Sequence, residues 1–368
     1  MHKSNKPIRI YNTVEQWMQA ALNKPGSQDA CTYFSLEEGT LHTSPKSVYH
    51  TICRQFADEQ YRVCPPASLT MLHNGRCLGR YGTAITASND LIFELSYEYF
   101  VENGHHSIFD IEKVPPLHKY YGNAAVLTFS MAHGYYHWMF DVLARLRLLE
   151  LSGVRYDKIV LNVDQSLPFQ AETLQLMNIG QEKIIYAGPH THIEARALLI
   201  PSLTGYTGRP PKWACQYLRE ALLPYGTPYG GHERIYISRK HAQHRHVGNE
   251  GEVEALLKRF AFQTVYLEDM SLQEQIGLFS KARFIVAPHG AGLANLLFAP
   301  EGAKVLEFFA PSYVNVVYWV LCNHLNLEYY YLLGEGDRSV TYADGSNRGE
   351  NLIMNISELE ATLLQAEL

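Results

Sequence analysis

The stretch Phe284-Ile-Val-Ala-Pro-His-Gly-Ala-Gly-Leu-Ala-Asn295 decides the fold of the second half of the chain. It begins with a short, fully apolar strand, passes through two glycines and opens a helix. Short apolar strands and helices keep alternating from Arg234 to Gly334. Because such alternation is typical of a parallel sheet that is covered on both faces, it predicts a Rossmann-like domain.

The predicted strands of this region cover residues 234–238, 262–267, 284–287, 305–309 and 327–332. Helices are predicted to begin near Asn249, Ser271, Gly292 and Val314. Asn249 with Glu252, and Ser271 with Glu274, have the spacing of a capping box, in which each side chain binds the backbone N–H of the other residue. These caps support the predicted helix starts.

The first half of the chain is patterned less regularly. Residues 46–110 hold turn signals between β-rich runs, whereas strands and helices alternate again from about Ala124, with a long helix predicted over 135–150. We therefore predict a β-rich elaboration over 1–110, an α/β domain over 111–205, a linker over 206–231, a Rossmann-like domain over 232–340, and a C-terminal helix over 341–368 that packs back onto the first domain. Two α/β domains are expected to enclose a cleft at the carboxyl ends of their strands, where ligands bind.

Composition and charge exclude some classes of protein. The chain has 368 residues, of which 46% are hydrophobic, which is enough for about two domains with sizeable cores. It carries 31 Lys and Arg against 37 Asp and Glu. The net charge of −6 disfavours a sequence-independent nucleic-acid binder, which needs a basic surface.

Cysteine usage and hydropathy indicate the compartment. The six cysteines form no CxxC pair, and we expect free thiols in a reducing compartment. The residues after Met1 show no signal peptide, and no run of about 18 apolar residues predicts a membrane span. We therefore expect a soluble, cytoplasmic protein.

The turn His289-Gly-Ala-Gly292 is the first candidate binding motif. Glycines at 290 and 292 let a ligand approach bare backbone, and the N–H groups at the start of the following helix attract a phosphate. The turn lacks the third glycine of the dinucleotide fingerprint and the GK[ST] of a P-loop. The alternative is a tight strand–helix turn whose glycines serve packing alone.

Charged residues near the ends of the other strands are further candidates. Arg239 and Lys240 follow the first strand, where an arginine can bind a diphosphate with its bidentate fork; the alternative is a solvated surface pair. Glu268 follows the second strand, at a position suited to a ribose hydroxyl. Glu307 lies within an apolar strand and needs a partner, either a ligand hydroxyl or an internal arginine.

His137, Asp141 and Arg145 are spaced four residues apart and therefore share one face of the predicted helix. A histidine and a carboxylate on one face can share a proton, as a general base requires. The alternative is a surface stripe in which Asp141 pairs with Arg145. Metal binding is disfavoured, since the histidine clusters at 105–106, 190–192 and 241–246 lack the spacing of a zinc site.

Several of these stretches together resemble the glycosyltransferase family 61 domain. The matching pieces are Arg234-Ile-Tyr-Ile-Ser-Arg239, Val286-Ala-Pro-His-Gly-Ala-Gly-Leu-Ala-Asn-Leu-Leu-Phe-Ala-Pro300, Gly302-Ala-Lys-Val-Leu-Glu307 and, more weakly, His137-Trp-Met-Phe-Asp141. The resemblance covers about residues 120–332. Residues 1–110 resemble no family and are expected to shape the acceptor site.

The resemblance implies a fold of the GT-B type, with two Rossmann-like α/β domains and a cleft between them. It implies an inverting glycosyltransferase that needs no metal or other cofactor and binds a nucleoside-diphosphate sugar, UDP-linked, on the second domain. A glycan or glycolipid would be the acceptor. Since no membrane anchor is visible, the resemblance fits a bacterial enzyme of capsular or other surface polysaccharide synthesis, associated peripherally with the inner face of the cytoplasmic membrane.

The resemblance also assigns roles to residues. The implied donor-binding residues lie at the strand ends and in the glycine turn: Arg239, Lys240, Glu268, His289, Gly290, Ala291, Gly292, Asn295 and Glu307. Either Asp141 or His137 would remove the proton of the acceptor hydroxyl, and the sequence leaves that choice open. Two rival hypotheses are a metal-dependent hydrolase with His133, His137 and Asp141 as ligands, and a non-catalytic protein that binds a nucleotide or glycan.

Overall fold

The computed structural model describes residues 6–22, 33–36, 46, 52–59, 63–96, 98, 106–336 and 349–368. Within them the strands are β1 Arg9–Tyr11, β2 Tyr33–Leu36, β3 Ala67–His73, β4 Arg76–Leu78, β5 Thr83–Ile85, β6 Asp90–Ile92, β7 His118–Val126, β8 Lys158–Leu161, β9 Ile184–Tyr186, β10 His192–Pro201, β11 Arg234–Ile237, β12 Gln263–Val265, β13 Phe284–Pro288, β14 Lys304–Phe309, β15 Glu328–Leu333, β16 Glu335–Gly336 and β17 Leu352–Ile353. The α-helices are α1 Val14–Leu22, α2 Arg54–Glu59, α3 Tyr135–His137, α4 Leu146–Ser152, α5 Pro168–Leu176, α6 Lys212–Leu222, α7 Glu250–Arg259, α8 Leu272–Phe279, α9 Val317–His324 and α10 Ile356–Gln365. A π turn, Trp138–Val142, and a 3-10 turn, Leu143–Arg145, join α3 to α4 in one helical run, and a 3-10 helix covers Ala291–Phe298.

The chain divides into two compact units. Unit 1 comprises residues 1–38 and 65–207, and unit 2 comprises residues 39–64 and 208–368. The boundary lies in the predicted linker, but α6 within that stretch is a packed part of unit 2, where Arg219 donates hydrogen bonds to the carbonyls of Leu297 and Ala299. The segment 39–64 contributes α2 to unit 2, and the Phe56 ring of this helix stacks on Tyr331.

Unit 2 is built on a parallel sheet with the strand order β12-β11-β13-β14-β15. The predicted strands of this region are all present, although β12 is shorter than predicted because residues 267–269 form a 3-10 turn. Val286, Leu306 and Leu359 contribute to its core. The chain crosses from one side of β11 to the other between β12 and β13, so the carboxyl ends of β11 and β13 form a topological switch point, where open α/β sheets bind ligands.

Unit 1 is built on a mixed sheet in the order β1-β6-β5-β4-β10-β7-β8-β9, with β3 paired to β10 and β2 paired to β3. β10 runs parallel to β7 but antiparallel to β3 and β4. The segments predicted over 1–110 and 111–205 therefore share one sheet and one core, which contains Trp17, Ala124 and Leu198. The chain is α/β with parallel strands, as predicted, but unit 1 departs from a purely parallel Rossmann-like domain because antiparallel strands complete its sheet.

The C-terminal helix packs within unit 2. Leu359 and Leu363 of α10 share a core with Leu256 and Leu257 of α7, so α10 is part of unit 2. That it also packs back onto the first domain stays a prediction. α10 packs against the apolar residues of α7. This burial removes apolar surface of both helices from water.

The two predicted capping boxes have different outcomes. Ser271 and Glu274 bind each other's backbone N–H groups at the start of α8, as predicted. Asn249 does not cap α7 with its side chain; its carboxamide instead bonds the N–H and the C=O of Met354. The carboxamide of Asn249, which would have capped α7, is thus used in the contact with Met354.

Other expectations concern thiols and membranes. Among the described residues the free thiols are Cys53, Cys64, Cys77, Cys215 and Cys322, which agrees with the prediction for these five residues. Cys31, His105 and residues 337–348 of the predicted C-terminal stretch lie outside the described residues. No helix in the described part of the chain is long and apolar enough to cross a membrane.

Candidate active site

A cavity of about 270 Å³ lies at the switch point of unit 2. We call it the strand-end cavity, because its lining comes from the residues that follow β11, β12 and β13. These lining residues include Ser238, Arg239, His241, Glu268, Gly290 and Gly292. Arg239, Glu268, Gly290 and Gly292, which the sequence analysis selected at the strand ends, are thus brought together in one cavity.

The glycine turn offers hydrogen-bond donors at the cavity, whose lining includes Gly290 and Gly292. Within the described residues, the backbone N–H groups of Gly290, Ala291 and Gly292 have no acceptor, whereas the next one, of Leu293, is bonded to the carbonyl of Gly290. A Cβ atom at Gly292 would lie 2.7 Å from Leu267 Cδ1, and a Cβ atom at Gly290 would collide with the guanidinium of Arg239. An added Cβ at either glycine would thus force the Arg239 or the Leu267 side chain to move, and the N–H groups of the turn can hold an anion.

Arg239 lies across the glycine turn. Its Nε and Nη2 donate to the carbonyl of His244 at 3.3 and 2.8 Å, and its Nη1 projects over Gly290. Burial, and to a smaller extent the positive charge of Arg245, lower the pKa of Arg239 to about 10. The guanidinium stays charged at neutral pH but is poorly solvated, so an anionic ligand would stabilise it.

Arg245 is a functional candidate that sequence reasoning missed. Its Nε donates to the carbonyl of His289 at 2.9 Å, and its guanidinium lies 5.8 Å from the centre of the Tyr313 ring. Its backbone has a φ of 60°, a left-handed conformation that is costly for a residue with a side chain and that clusters at functional sites. No sequence motif includes Arg245, because it lies in the loop beyond the end of β11. The only indication in the sequence was a positively charged residue in a loop that also holds three histidines.

His289 is held by a buried carboxylate. Its Nδ1 lies 2.5 Å from Glu307 Oε1, and since a carboxylate only accepts, Nδ1 carries the proton. The other oxygen of Glu307 accepts from the Tyr329 hydroxyl at 2.5 Å. The partner of Glu307 is therefore His289 and not an arginine, and because Glu307 is fully buried, it acts through the histidine rather than by touching a ligand.

The remaining predicted donor residues are placed unequally. Glu268 lines the cavity and lies 3.4 Å from Nδ1 of His241. The ring of His241 stacks on Tyr266, with 5.0 Å between the centroids. Asn295 is fully buried, donates to Gln275 Oε1 and does not belong to the cavity lining. Lys240 and Ala291 are exposed and do not belong to the lining.

The second predicted constellation lies in unit 1, on the helical run that begins at Tyr135. Nδ1 of His137 lies 2.7 Å from Oδ2 of Asp141, and we call these residues the His–Asp pair. The other oxygen of Asp141 accepts from the Thr207 hydroxyl at 3.1 Å. A π turn covers Asp141 and its neighbours, a local irregularity that is frequent at functional sites.

Exposure separates the two members of the pair. The Asp141 side chain is 4% exposed and uses both of its oxygens, whereas the His137 side chain is 25% exposed. Nε2 of His137 has no partner among the described residues. The geometry therefore favours His137 as the group that meets a substrate and Asp141 as the group that orients it, as in the serine-protease arrangement of histidine and aspartate.

Arg145 does not pair with Asp141, so the surface-stripe alternative is wrong. It is buried and donates to the carbonyls of four residues at 2.5–3.2 Å, namely Val126, Thr128, Pro201 and Ser202. Burial lowers the pKa of Arg145 to about 10, while the charge of Asp141 acts in the opposite direction. Arg145 thus ties the helix to the ends of β7 and β10.

The metal-ligand hypothesis finds no support in the arrangement of side chains. In the part of the chain that the structure describes, no group of three or more His, Cys, Asp or Glu residues is arranged to hold a metal ion. His133 is exposed, whereas Asp141 is buried with both oxygens bonded within the protein. His133 therefore does not join His137 and Asp141, the other proposed ligands of a hydrolase, in a group of three among the described residues.

Comparison with known proteins agrees with these features. The family profile described as Glycosyltransferase 61 matches residues 135–306, a region that holds both the His–Asp pair and the strand-end cavity. Residues 135–306 are therefore similar to a glycosyltransferase 61 domain, and this stretch is slightly less than half of the chain.

Similar proteins are animal glycosyltransferases. The chain is 40% identical over 93 residues to the protein O-linked-mannose beta-1,4-N-acetylglucosaminyltransferase 2 of Homo sapiens and to that of Canis lupus familiaris, which is 24% of this chain and 16% of each relative. It is 30% identical over 95 residues to the EGF domain-specific O-linked N-acetylglucosamine transferase of Drosophila melanogaster, which is 25% of this chain and 18% of the relative. The chain thus matches less than a fifth of the length of each of these relatives.

Proposed function

We propose that the protein is an inverting, metal-independent glycosyltransferase that moves a sugar from a nucleoside-diphosphate sugar to a hydroxyl of a glycan. The observation that carries this proposal is the group of unpaired N–H donors at Gly290–Gly292 beneath the guanidinium of Arg239. A cationic group and free amides at a switch point suit a diphosphate.

Donor binding uses the strand-end cavity and its surroundings. The amides of the glycine turn and Arg239 hold the diphosphate, Arg245 adds a second positive charge, and Glu268 takes the ribose hydroxyls. As the bond to the anomeric carbon breaks, negative charge grows on the leaving diphosphate. Fixed donors that already point at that charge stabilise the transition state, which is the role that a metal has in other transferases.

Acceptor activation uses the His–Asp pair. The acceptor oxygen attacks the anomeric carbon, its proton passes to Nε2 of His137, and the bond to the diphosphate breaks in the same step. Asp141 keeps the proton on Nδ1 and stabilises the imidazolium that forms. One displacement inverts the anomeric centre. The reaction requires that the donor bound by unit 2 meets the acceptor hydroxyl activated by unit 1. A GT-B arrangement of the two units is therefore part of this proposal.

The substrates follow from the relatives and the resemblance. The names of the mammalian and fly relatives give N-acetylglucosamine as the transferred group, which supports UDP-N-acetylglucosamine as the first donor to test. A surface polysaccharide or glycolipid acceptor, a bacterial source and a place at the inner face of the cytoplasmic membrane are proposed from the family resemblance.

The direct test is transfer itself. The protein is incubated with UDP-N-acetylglucosamine and neutral oligosaccharide acceptors, and acceptor-dependent release of UDP is measured. An α-linked donor should yield a β-linked product by NMR. Binding of UDP without turnover on any acceptor would instead favour the non-catalytic binding protein.

Replacing Arg239 or Arg245 by alanine should weaken UDP binding by about 10- to 100-fold, because each variant removes a charge-assisted hydrogen bond. Calorimetry with UDP measures the effect. Lys240→Ala is the matched control, since Lys240 carries the same charge one residue further along, whereas the side chains of Arg239 and Arg245 lie against Gly290 and His289 of the turn. If all three variants bound UDP like the wild type, the donor site would have to lie elsewhere.

Activity should survive EDTA, with a rate within about twofold of the untreated enzyme, because Arg239, Arg245 and backbone amides neutralise the diphosphate. The initial rate is compared before and after dialysis against the chelator. If activity were lost in EDTA and restored by zinc or manganese, the result would contradict the proposal and support the metal-ligand hypothesis.

A further inference from the structure

Unit 1 contains a second, larger concavity that the proposed reaction has not used. It has a volume of about 780 Å³ and lies between α5, the strand β9 and the loops around Asp164 and Gly180. We call it the amide groove. We propose that the amide groove binds the neutral oligosaccharide part of the acceptor, beyond the hydroxyl that reacts; this inference rests on the proposed function.

The lining of the amide groove is rich in carboxamides and poor in positive charge. Four carboxamide side chains line it, from Gln165, Gln175, Asn178 and Gln181, and no lysine or arginine does. Each carboxamide offers both donors and an acceptor, and none of the four side chains has a hydrogen-bond partner among the described residues. Sugar hydroxyls also donate and accept, so the groove matches a neutral glycan and disfavours phosphate or carboxylate ligands.

The groove also offers apolar surface. Leu174 and Ile184 form buried parts of its wall, and the ring of Tyr186 at the edge of the sheet is 45% exposed. Pyranose rings present C–H groups on their faces, and an exposed tyrosine ring can pack against them while its hydroxyl stays hydrogen-bonded to water. Polar side chains beside an aromatic ring are thus suited to a sugar chain.

The loop at the far end of the groove has a defined shape. Asn178 has a φ of 56° and turns the chain after α5. A Cβ atom at Gly180 would collide with the carboxylate of Glu182, so that glycine leaves room for an acidic side chain in the groove wall. Asp164 and Glu182 are the charged residues of the lining, and both can accept hydrogen bonds from hydroxyls.

Direct contacts couple the groove to the His–Asp pair. The buried side chain of Gln170 in α5 accepts from the N–H of Asp164 at 2.6 Å and donates to the carbonyl of Ala132, just before the helical run that carries His137. Trp138, the neighbour of His137, donates its indole N–H to Thr173 of α5 at 2.7 Å. One helix, α5, therefore forms the wall of the groove and is anchored to the catalytic helix, as an acceptor subsite requires.

The inference is tested by glycan capture. Neutral tetrasaccharides of glucose, mannose and N-acetylglucosamine, with tetragalacturonic acid for comparison, are immobilised on biosensor tips and exposed to the full chain. We expect the wild type to bind at least one neutral tetrasaccharide. The double variant Gln175→Ala/Gln181→Ala should bind that glycan about 4- to 100-fold more weakly, at about two- to tenfold for each side chain. Lys183→Ala, which is close in sequence but outside the lining, should bind it within twofold.

Calorimetry with UDP and the melting temperature accompany each variant. Unchanged values in the double variant would assign its loss to the groove. Wild-type protein that bound UDP but captured no neutral tetrasaccharide, captured only the acidic one, or was unaffected by the double variant would overturn this inference and leave the proposed function standing. Failure of the wild type to bind UDP would count against the proposed function itself.

Discussion

His137→Gln is expected to lower turnover by about 10²- to 10⁴-fold, the usual contribution of a positioned general base. Glutamine keeps a polar side chain of similar length but cannot take a proton at neutral pH. The variant should bind UDP like the wild type, because the donor residues lie on unit 2, and its melting temperature should stay within a few degrees. Turnover, calorimetry and thermal melting on the same preparation check all three points.

Two further variants test the His–Asp pair, and one of them, Asp141→Asn, decides which member is the base. Asp141→Asn places an amide N–H against Nδ1 of His137, which favours the tautomer with the proton on Nε2 and should cause a loss of similar size. Thr207→Val removes one hydrogen bond to Asp141 but keeps the pair, and should cost less than about tenfold. If Asp141→Asn were inactive while His137→Gln kept most of its turnover, Asp141 would be the base.

Arg145→Met should lower the free energy of unfolding by about 3–4 kcal/mol, which is large for a single substitution. The variant leaves carbonyls at the ends of β7 and β10 without their hydrogen-bond donor. Methionine offsets only part of the lost stabilisation, because it removes the cost of burying a charge. For a unit of this size the melting temperature should fall by about 6–16 °C.

The matched control is Arg147→Met on the same helix. Arg147 is 44% exposed and pairs with Glu150 at the surface, and such pairs contribute about 0–1 kcal/mol. Thermal or urea unfolding compares the two variants. Similar, small shifts in both would mean that the carbonyls around Arg145 find other donors and that its hydrogen bonds contribute little.

The fold of unit 2 could be predicted because its signals are local. The strand β13 is an uninterrupted apolar run, and Ser271 and Glu274 cap the start of α8 as their spacing predicts. Because a parallel sheet buries both faces of its strands, such strands can be recognised in the sequence as runs of apolar residues. The placement of Arg239 and the glycine turn at the strand ends followed from the same regularity.

Unit 1 was less predictable because its sheet is completed by distant segments. β10 pairs with β7 on one side and with β3 and β4 on the other, and these partners lie more than 65 residues apart in the chain for β7 and more than 110 for β3 and β4. Short strands such as β5 and β6 carry too few residues for a period of two to be recognised. The sharing of one sheet by segments 1–110 and 111–205 therefore had no local signature.

By itself, the sequence determined the α/β class, the strand ends that carry the candidate donor residues, and the spacing that brings His137 to Asp141, since each depends on residues close together in the chain. Only the tertiary structure decided which partner each buried charge has. Arg145 binds carbonyls rather than Asp141, Glu307 binds His289 rather than an arginine, and Arg245 reaches His289 from a distant loop. Burial forces a charged group to take whatever partner the packed chain brings within hydrogen-bond distance, and that partner is set by three-dimensional proximity rather than by spacing in the sequence.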